Sequence, residues 1–250
     1  MAFIPTDRVI QKLDEMLRKN DYVSAKKHLL YWLGEAKSNA DSKAELLIAN
    51  ELMGLCRKLG EGDEAIGFAE SALGLVEKMG IQTNLGAATT YLNSATVYKA
   101  FSRAEDSIPL FKKAQEIYEK NLSSDDARLG GLYNNMGLSL VDLNKFDEAN
   151  GFYKKAVEVM ARIPNKEPEQ AITYLNIATA AEMQYGLEGG EEIIAKNVEK
   201  AIELLEVGKD RTDGDYAFVC EKCATVFEYY GYFYYKNKLV ERYRRIYEGA

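Results

Sequence analysis

The amino-acid sequence predicts an all-α protein, a solenoid of about six stacked antiparallel helix hairpins. The main observation is that the segment 91–114 returns after 42 residues as the segment 133–156. Residues of the same kind recur at four matching places: Tyr91 and Tyr133, Asn93 and Asn135, Ala95 and Gly137, and Ala114 and Ala156. Self-similarity at a period of roughly 20 to 50 residues is typical of stacked supersecondary units. The composition agrees, because 47% of the 250 residues are hydrophobic and only four are prolines.

The first hairpin is predicted over residues 5–40. Ile10, Leu13 and Leu17 recur at helical spacing in a helix over residues 7–19. A second helix is predicted over residues 22–36. Because the link between the two helices is so short, they should pack as an antiparallel hairpin.

Four repeats are predicted over residues 45–206. Their helix pairs are 45–59 with 64–78, 87–101 with 104–120, 128–143 with 146–162, and a helix from residue 169 with a helix over 191–206. The second helices carry Ala72, Ala114 and Ala156 at 42-residue spacing, and Ala201 follows 45 residues after Ala156. A small side chain at this place allows close helix packing. The extra residues are expected in the glycine-rich turn 184–191, where an insertion costs little closure entropy.

The last hairpin, over residues 214–248, is predicted to cap the solenoid. It contains a long aromatic helix over residues 216–235 and a short basic helix over residues 239–247. Its sequence departs from the repeat, as terminal units of solenoids usually do, because one of their faces has no neighbour. Residues 1–250 are therefore expected to form a single solenoid domain.

Charge and cysteine content exclude several classes of protein. The net charge of −7 argues against a general nucleic-acid or anionic-membrane binder, since both need a basic field. No run of 18 apolar residues occurs, and the amino-terminal residues lack the pattern of a secretion signal. Three cysteines are too few for a disulfide framework. We expect a soluble cytoplasmic protein with neither a nucleic-acid nor a membrane partner.

Residues suited to catalysis or metal binding are few. His28 is the only histidine, and no sequence neighbour suggests a catalytic triad. Cys220 and Cys223 form a Cys-x-x-Cys pair within a predicted helix, where packing is favoured over a metal or redox role because zinc usually needs four ligands. The glycines of the turn 184–191 lack the Lys-Ser/Thr of a phosphate-binding loop. The sequence therefore predicts a protein that is not an enzyme and has no cofactor or metal.

Two decapeptides resemble the tetratricopeptide repeat. Residues 63–72 read Asp-Glu-Ala-Ile-Gly-Phe-Ala-Glu-Ser-Ala, and residues 147–156 read Asp-Glu-Ala-Asn-Gly-Phe-Tyr-Lys-Lys-Ala. The 42-residue period is similar to the longer-helix variant of kinesin light chains and many bacterial proteins. The resemblance covers residues 46–206 and weakens at both ends, where Trp32 stands at a place that the family reserves for a small residue. It implies a right-handed superhelix whose first helices line a concave groove, peptide or protein binding in that groove, and no family-wide catalytic residue.

Asparagines mark a candidate binding surface. Asn93, Asn135 and Asn176 each stand two residues before the small residue of their first helix, so stacking should place them on one line. Two explanations stay open: the asparagines join neighbouring hairpins, or their carboxamides clamp the backbone of an extended peptide in the groove. Asn50 and Asn134 lie one helical step away and favour the clamp. By the geometry of the family, four more residues should line the same groove: Thr96, Lys99, Leu138 and Thr179.

The carboxyl-terminal hairpin is unusually aromatic. Seven aromatic residues fall within nine positions: Phe227, Tyr229, Tyr230, Tyr232, Phe233, Tyr234 and Tyr235. They either close the end of the solenoid or form an exposed patch that binds a partner or a second copy of the chain. In the second case, the candidate interface comprises Tyr229, Tyr232 and Tyr235.

These observations favour one functional class. The first hypothesis is a non-catalytic scaffold that captures a protein or peptide segment in its groove. The alternative is a peptide-sensing regulatory protein whose superhelix changes conformation on binding, as the resemblance to bacterial peptide-receptor repeat domains suggests.

Overall fold

A computed structural model describes residues 4–249 of the chain. Residues 1–3 and residue 250 lie outside the described residues. The prediction that no secretion signal is present therefore falls partly on residues that are not described, as does the carboxyl-terminal end of the predicted solenoid domain. Between residues 4 and 249, all regular secondary structure is α-helical. None of these helices is both long enough and apolar enough to cross a bilayer.

The described residues form eleven helices that pair in chain order into six hairpins. The helices are α1 (Thr6–Arg18), α2 (Tyr22–Ser38), α3 (Ser42–Leu59), α4 (Gly62–Lys78), α5 (Leu85–Ala100), α6 (Ala104–Asn121), α7 (Ala127–Asp142), α8 (Phe146–Met160), α9 (Glu167–Val207), α10 (Gly214–Tyr229) and α11 (Phe233–Glu248). Helix α9 is broken at Gly186, and its two halves form the fifth hairpin. The predicted all-α class with about six hairpins is confirmed.

The chain divides into two compact units. The first unit ends at Asn121 and contains α1–α6, whereas the second begins at Leu122 and contains α7–α11. In the first unit, α2 packs on α3, α4 packs on α5, and the first helices α3 and α5 also touch. In the second unit, the first helix α7 touches α9, and α9 touches α10. First helices of successive hairpins therefore lie next to each other at α3 and α5 in the first unit and at α7 and α9 in the second.

Hairpin turns repeat at the same period as the helices. Gly60, Ser102, Asn144 and Gly186 follow one another at 42-residue intervals, and all four have positive φ angles. Glycine and asparagine tolerate this region best, because a Cβ atom is crowded there. At Gly186 the φ of 75° combines with a ψ of 171°, a conformation that only glycine adopts readily. A single residue thus reverses the chain within α9.

The structure differs from the predicted turn at residues 184–191. Gly186 keeps the 42-residue register, so the extra residues follow it and are helical rather than looped. The two halves of α9 approach closely, since a Cβ at Gly190 would lie 3.1 Å from the carbonyl oxygen of Ala181. The insertion lengthens the second helix by almost one turn and leaves Ala201 buried.

The structure also differs from the predicted aromatic helix over residues 216–235. Helix α10 ends at Tyr229, and α11 begins at Phe233. Gly231, with a φ of 79°, makes the turn between them. The aromatic residues are therefore divided between two helices with different neighbours.

Candidate functional site

A pair of asparagines links the first helices of the first unit. Asn93 on α5 donates a hydrogen bond from Nδ2 to Oδ1 of Asn50 on α3 at 3.1 Å. Asn50 in turn donates to the carbonyl oxygen of Leu46 at 2.9 Å and to Oγ1 of Thr90 at 3.1 Å. Both asparagines are half-buried. Asn50 thus uses both of its side-chain N–H groups in hydrogen bonds within the protein, and its carbonyl oxygen fixes the side chain of Asn93.

The second unit repeats this pair. Asn176 on α9 donates from Nδ2 to Oδ1 of Asn134 on α7 at 2.9 Å. The two asparagines of a pair are 43 residues apart in the first unit and 42 residues apart in the second. Asn135 does not join its neighbour Asn134 in this pairing, because it donates to the carbonyl oxygen of Gly131 on its own helix at 3.0 Å. The residue 43 positions before Asn135 is Leu92, which has no carboxamide.

The pairs leave polar groups available on the first-helix faces. Within residues 4–249, Asn93 and Asn176 each use one N–H group, and neither carbonyl oxygen accepts a hydrogen bond. A carboxamide can make about four hydrogen bonds, so both side chains keep a donor and an acceptor. The joining role is therefore visible in the structure, while the peptide-binding role of these asparagines stays a prediction.

The other residues predicted to line the groove lie on the same first helices. Thr96 on α5 donates its hydroxyl to the carbonyl oxygen of Leu92 at 2.8 Å, and the exposed Thr179 on α9 donates to that of Leu175 at 3.1 Å. Lys99 on α5 and Leu138 on α7 are half-buried. These residues thus lie on the first helices of their own units, and their role in ligand binding stays a prediction.

A cleft of about 370 Å³ lies between α9 and α10 in the second unit. It is lined by Thr179, Glu182, Met183, Thr225, Val226 and Tyr229. Two tyrosines donate to the carboxylate of Glu182: Tyr230 to Oε2 at 2.8 Å, and Tyr229 to Oε1. The pKa of the Tyr229 phenol is raised by its hydrogen bond to Glu182, and that of Tyr230 is raised by burial and by the same carboxylate. Both phenols therefore stay protonated donors at neutral pH.

Only Thr179 and Tyr229 of this cleft were among the residues predicted from the sequence. Met183 follows Thr179 by four positions, so it shares the exposed face of α9. The sequence signal that could have identified Met183 is its position four residues after Thr179. The role of Glu182 depends on contacts between helices, which no local pattern reveals.

Comparison with known proteins agrees with the fold of stacked helix hairpins. Residues 130–163, which span most of α7 and all of α8, match the family model for the tetratricopeptide repeat. Residues 130–163 are therefore similar to a tetratricopeptide repeat. No curated protein has a sequence that matches the chain.

Solved structures of tetratricopeptide repeat proteins share the fold. BtubC (BKLC) from P. vanneervenii has a TM-score of 0.69 and 18% identity, covering 82% of this chain and 81% of that chain. A putative kinesin light chain of Podosopora anserina with nearly identical repeats has a TM-score of 0.54 and 16% identity, covering 80% and 94%. A Rap protein complexed with Competence and Sporulation Factor has a TM-score of 0.56 and 12% identity, covering 95% and 73%. The predicted resemblance to kinesin-light-chain-like repeats is confirmed as a likeness of fold.

The aromatic residues between positions 227 and 235 do not form a single cluster, because some are half-buried and others are exposed. Tyr232 and Tyr235 are half-buried against Phe227, with ring centroids 6.4 and 6.5 Å away. Tyr229, by contrast, is 64% exposed, and Phe233 and Tyr234 are exposed with it. The end-closing explanation fits the first two residues, and the binding explanation fits the exposed ones. The interface itself stays a prediction.

The histidine and the Cys-x-x-Cys pair make contacts that stabilise the fold. His28 Nε2 lies 3.0 Å from the carbonyl oxygen of Val9, so it links α2 to α1. Cys220 and Cys223 are fully buried in the core of the second unit. Burial raises the pKa of Cys220 to about 11 and also raises the pKa of Cys223. Both thiols are therefore protonated at neutral pH, which favours the packing interpretation.

A cluster that sequence reasoning missed surrounds Cys56. Ligand atoms of Cys56, Glu61 and Glu64 lie within 4.8 Å of one another. However, Lys26 from α2 binds both carboxylates, at 2.8 Å to Glu61 and 2.9 Å to Glu64. Burial and a hydrogen bond to Glu61 raise the pKa of the Cys56 thiol to about 12. The lysine already supplies the positive charge, so the cluster suits an ion pair between hairpins better than a metal.

Proposed function

We propose that this chain is a non-catalytic scaffold that captures a protein or peptide segment on the first-helix faces of its hairpins. The observation that carries the proposal is the repeated asparagine pair, Asn50 with Asn93 and Asn134 with Asn176. In each pair, the second asparagine keeps one N–H group and its carbonyl oxygen available to a ligand. The backbone of an extended peptide presents one N–H and one C=O per residue, which a carboxamide can bind whatever the peptide side chains are.

Pairing also prepares the asparagines for binding. A half-buried side chain whose rotamer is already fixed by a hydrogen bond loses little conformational entropy when a ligand arrives. Asn50 fixes Asn93 in this way, and Asn134 fixes Asn176. The lower entropic cost favours binding by these side chains over binding by flexible surface residues.

The experiment uses peptides selected by display of a random library on the intact protein. Selected peptides are synthesised, and their affinities are measured by calorimetry for the wild type, Asn93→Ala, Asn176→Ala and the double variant. A matched control is Asn197→Ala, because Asn197 lies on the second half of α9 and bonds only the carbonyl oxygen of Ile193. We expect at least about a tenfold loss for the double variant, as for two lost hydrogen bonds, and no change for the control.

Two outcomes would contradict the proposal. One is unchanged affinity of the folded double variant, with folding verified by its melting temperature. The other is a library that yields no binding peptide at all.

A peptide-sensing regulator is the second candidate function. The observation that favours it is the likeness to the Rap protein complexed with Competence and Sporulation Factor, which extends over 95% of this chain. A sensor must bind its ligand better in one conformation than in another. Small-angle scattering with and without a selected peptide tests this, since a sensor changes its radius of gyration and a rigid scaffold does not.

A further inference from the structure

We propose that the cleft between α9 and α10 binds a basic side chain, lysine or arginine, of the captured segment. This inference rests on the proposed function, because it assigns a specificity to the same first-helix surface. The cleft combines a carboxylate, an exposed aromatic ring and apolar walls, which are the groups that a long cationic side chain needs.

The first argument is the charge of Glu182. Its two carboxylate oxygens accept hydrogen bonds from the phenols of Tyr229 and Tyr230. These donors orient the carboxylate but are neutral, so they leave its charge in place. Among the ion pairs of residues 4–249, Glu182 has no lysine or arginine partner. A half-buried carboxylate without a counter-ion favours a cationic ligand.

The second argument is the aromatic wall. The rings of Tyr229 and Tyr230 form an edge-to-face pair, with centroids 5.0 Å apart and ring planes at 75° to each other. Because Tyr229 is largely exposed, its ring is accessible to a cation from solvent. A lysine or arginine head close to a tyrosine ring gains a cation–π attraction in addition to its attraction to the carboxylate.

The third argument is the apolar lining. Met183 is 51% exposed beside Val226, and both can contact the methylene groups of a long side chain. The hydroxyls of the two threonines are occupied by their own helices, Thr179 with Leu175 and Thr225 with the carbonyl oxygen of Lys222 at 2.8 Å. Lysine and arginine match this combination of apolar walls and one charge better than a short polar side chain does.

The position of the cleft agrees with a peptide held at Asn176. Glu182 follows Asn176 by six residues on the same half-helix, which is about 9 Å along its axis and about 120° around it, so a peptide that reaches both crosses the helix obliquely. An extended peptide covers about 9 Å in about three residues. We therefore expect the basic residue about three positions from the residue whose backbone binds Asn176.

The test uses single capped amino acids, so that it does not depend on a peptide ligand. N-acetyl-lysine N-methylamide and N-acetyl-norleucine N-methylamide are titrated into the full chain with ¹³C-labelled methionine methyl groups, and the Met183 signal is followed by NMR. Norleucine has the apolar stem of lysine without its charge. We expect saturable binding of the lysine probe that is about fivefold tighter than that of norleucine and weakens as salt is added.

Variants locate the interaction. Glu182→Gln should reduce lysine binding to the norleucine level, because a glutamine side chain can still bond both tyrosines but carries no charge. The matched control is Glu192→Gln, an exposed residue on the second half of α9, which should leave lysine binding unchanged. Equal affinities for the two probes, or lysine binding that survives Glu182→Gln, would overturn the inference.

Failure of this inference is distinguishable from failure of the proposed function. The capped lysine has only two amide groups, and in the cleft these lie about 9 Å along α9 from Asn176, so Asn176→Ala should not affect its binding. If capped lysine binds but selected peptides ignore the asparagine variants, the scaffold mechanism is wrong and the basic subsite stands. If the peptides need the asparagines but show no preference for a basic residue, the subsite alone is wrong.

Discussion

The backbone of Gly137 on α7 lies directly against the ring of Tyr153 on α8. A Cβ atom at Gly137 would come within 2.4 Å of Cε1 and 2.9 Å of Cζ of this ring. Tyr153 is fully buried, so the ring has no solvent into which it can move. This contact explains physically why a small residue returns at this register, as Ala95 does 42 residues earlier opposite the helix of Phe111.

Gly137→Ala should destabilise the protein. The new methyl group forces a buried ring out of place, which costs about 1–3 kcal/mol and outweighs the better helix propensity of alanine. Gly151→Ala in the same hairpin is the control, because a Cβ there meets no atom within 4 Å. It should stabilise the helix by up to about 1 kcal/mol. Urea unfolding of both variants measures the difference, and equal effects would show that the contact is not tight.

Tyr153→Phe should stabilise the protein. The Tyr153 hydroxyl is buried and has no hydrogen-bond partner among the described residues, and burial raises its pKa. Removing an unsatisfied buried hydroxyl recovers about 1 kcal/mol or more. Tyr118→Phe is the matched control, because the buried Tyr118 hydroxyl lies 3.0 Å from Oγ1 of Thr89 and its loss should cost about 1 kcal/mol. A destabilised Tyr153→Phe would mean that its hydroxyl is bonded, for example to an internal water.

The helices and their pairing could be predicted from the sequence because they depend on local periodicity. The 42-residue repeat located the hairpins. Small residues such as Ala114 and Ala156 indicated the buried helix contacts, and both are fully buried in the structure. The break at Gly231 was missed because the aromatic run on either side of it looks like one continuous helical pattern. The insertion after Gly186 was placed in a loop, although a helix extended by almost one turn keeps the same face buried.

The candidate site was predictable only in part. Composition and register singled out Asn50, Asn93, Asn134 and Asn176, but they did not reveal which asparagines bond each other. The observed pairs run diagonally, from one register position to the residue before it on the preceding first helix. Such an offset depends on how far one helix slides along another. The contact of Glu182 with Tyr229 at the end of α10 and with the following Tyr230 has the same origin.

A double-mutant cycle on Asn50 and Asn93 should reveal their coupling. Replacing each by alanine, singly and together, should give an interaction free energy of about 0.5–1.5 kcal/mol, as expected for a hydrogen bond between neutral groups. The control cycle joins Asn93 to Asn121, which bonds only its own helix at the carbonyl oxygen of Ile117. That cycle should give a value near zero. A vanishing term in the first cycle would remove the joining role of the pair.

Acid should weaken the start of α10 through Asp213. This side chain accepts hydrogen bonds from the backbone N–H of Tyr216 at 3.0 Å and from two guanidinium nitrogens of Arg211 at 2.8 Å. Chiefly through Arg211, its pKa falls from 3.8 to about 2. Because the folded pKa is lower than the unfolded one, the stabilisation is complete above about pH 4 and is lost as the pH falls towards 2.

Two variants separate the charge of Asp213 from its capping role. Asp213→Asn keeps a cap acceptor but has no charge, so its melting temperature should fall less between pH 4 and pH 2 than that of the wild type. Asp213→Ala loses the cap as well and should be less stable by about 1 kcal/mol at pH 7. Because the side chain is partly exposed, the charge pair itself contributes at most about 1 kcal/mol. Thermal unfolding followed by circular dichroism across this pH range measures both effects. Parallel acid profiles of wild type and Asp213→Asn would show that the Arg211 pair contributes nothing to stability.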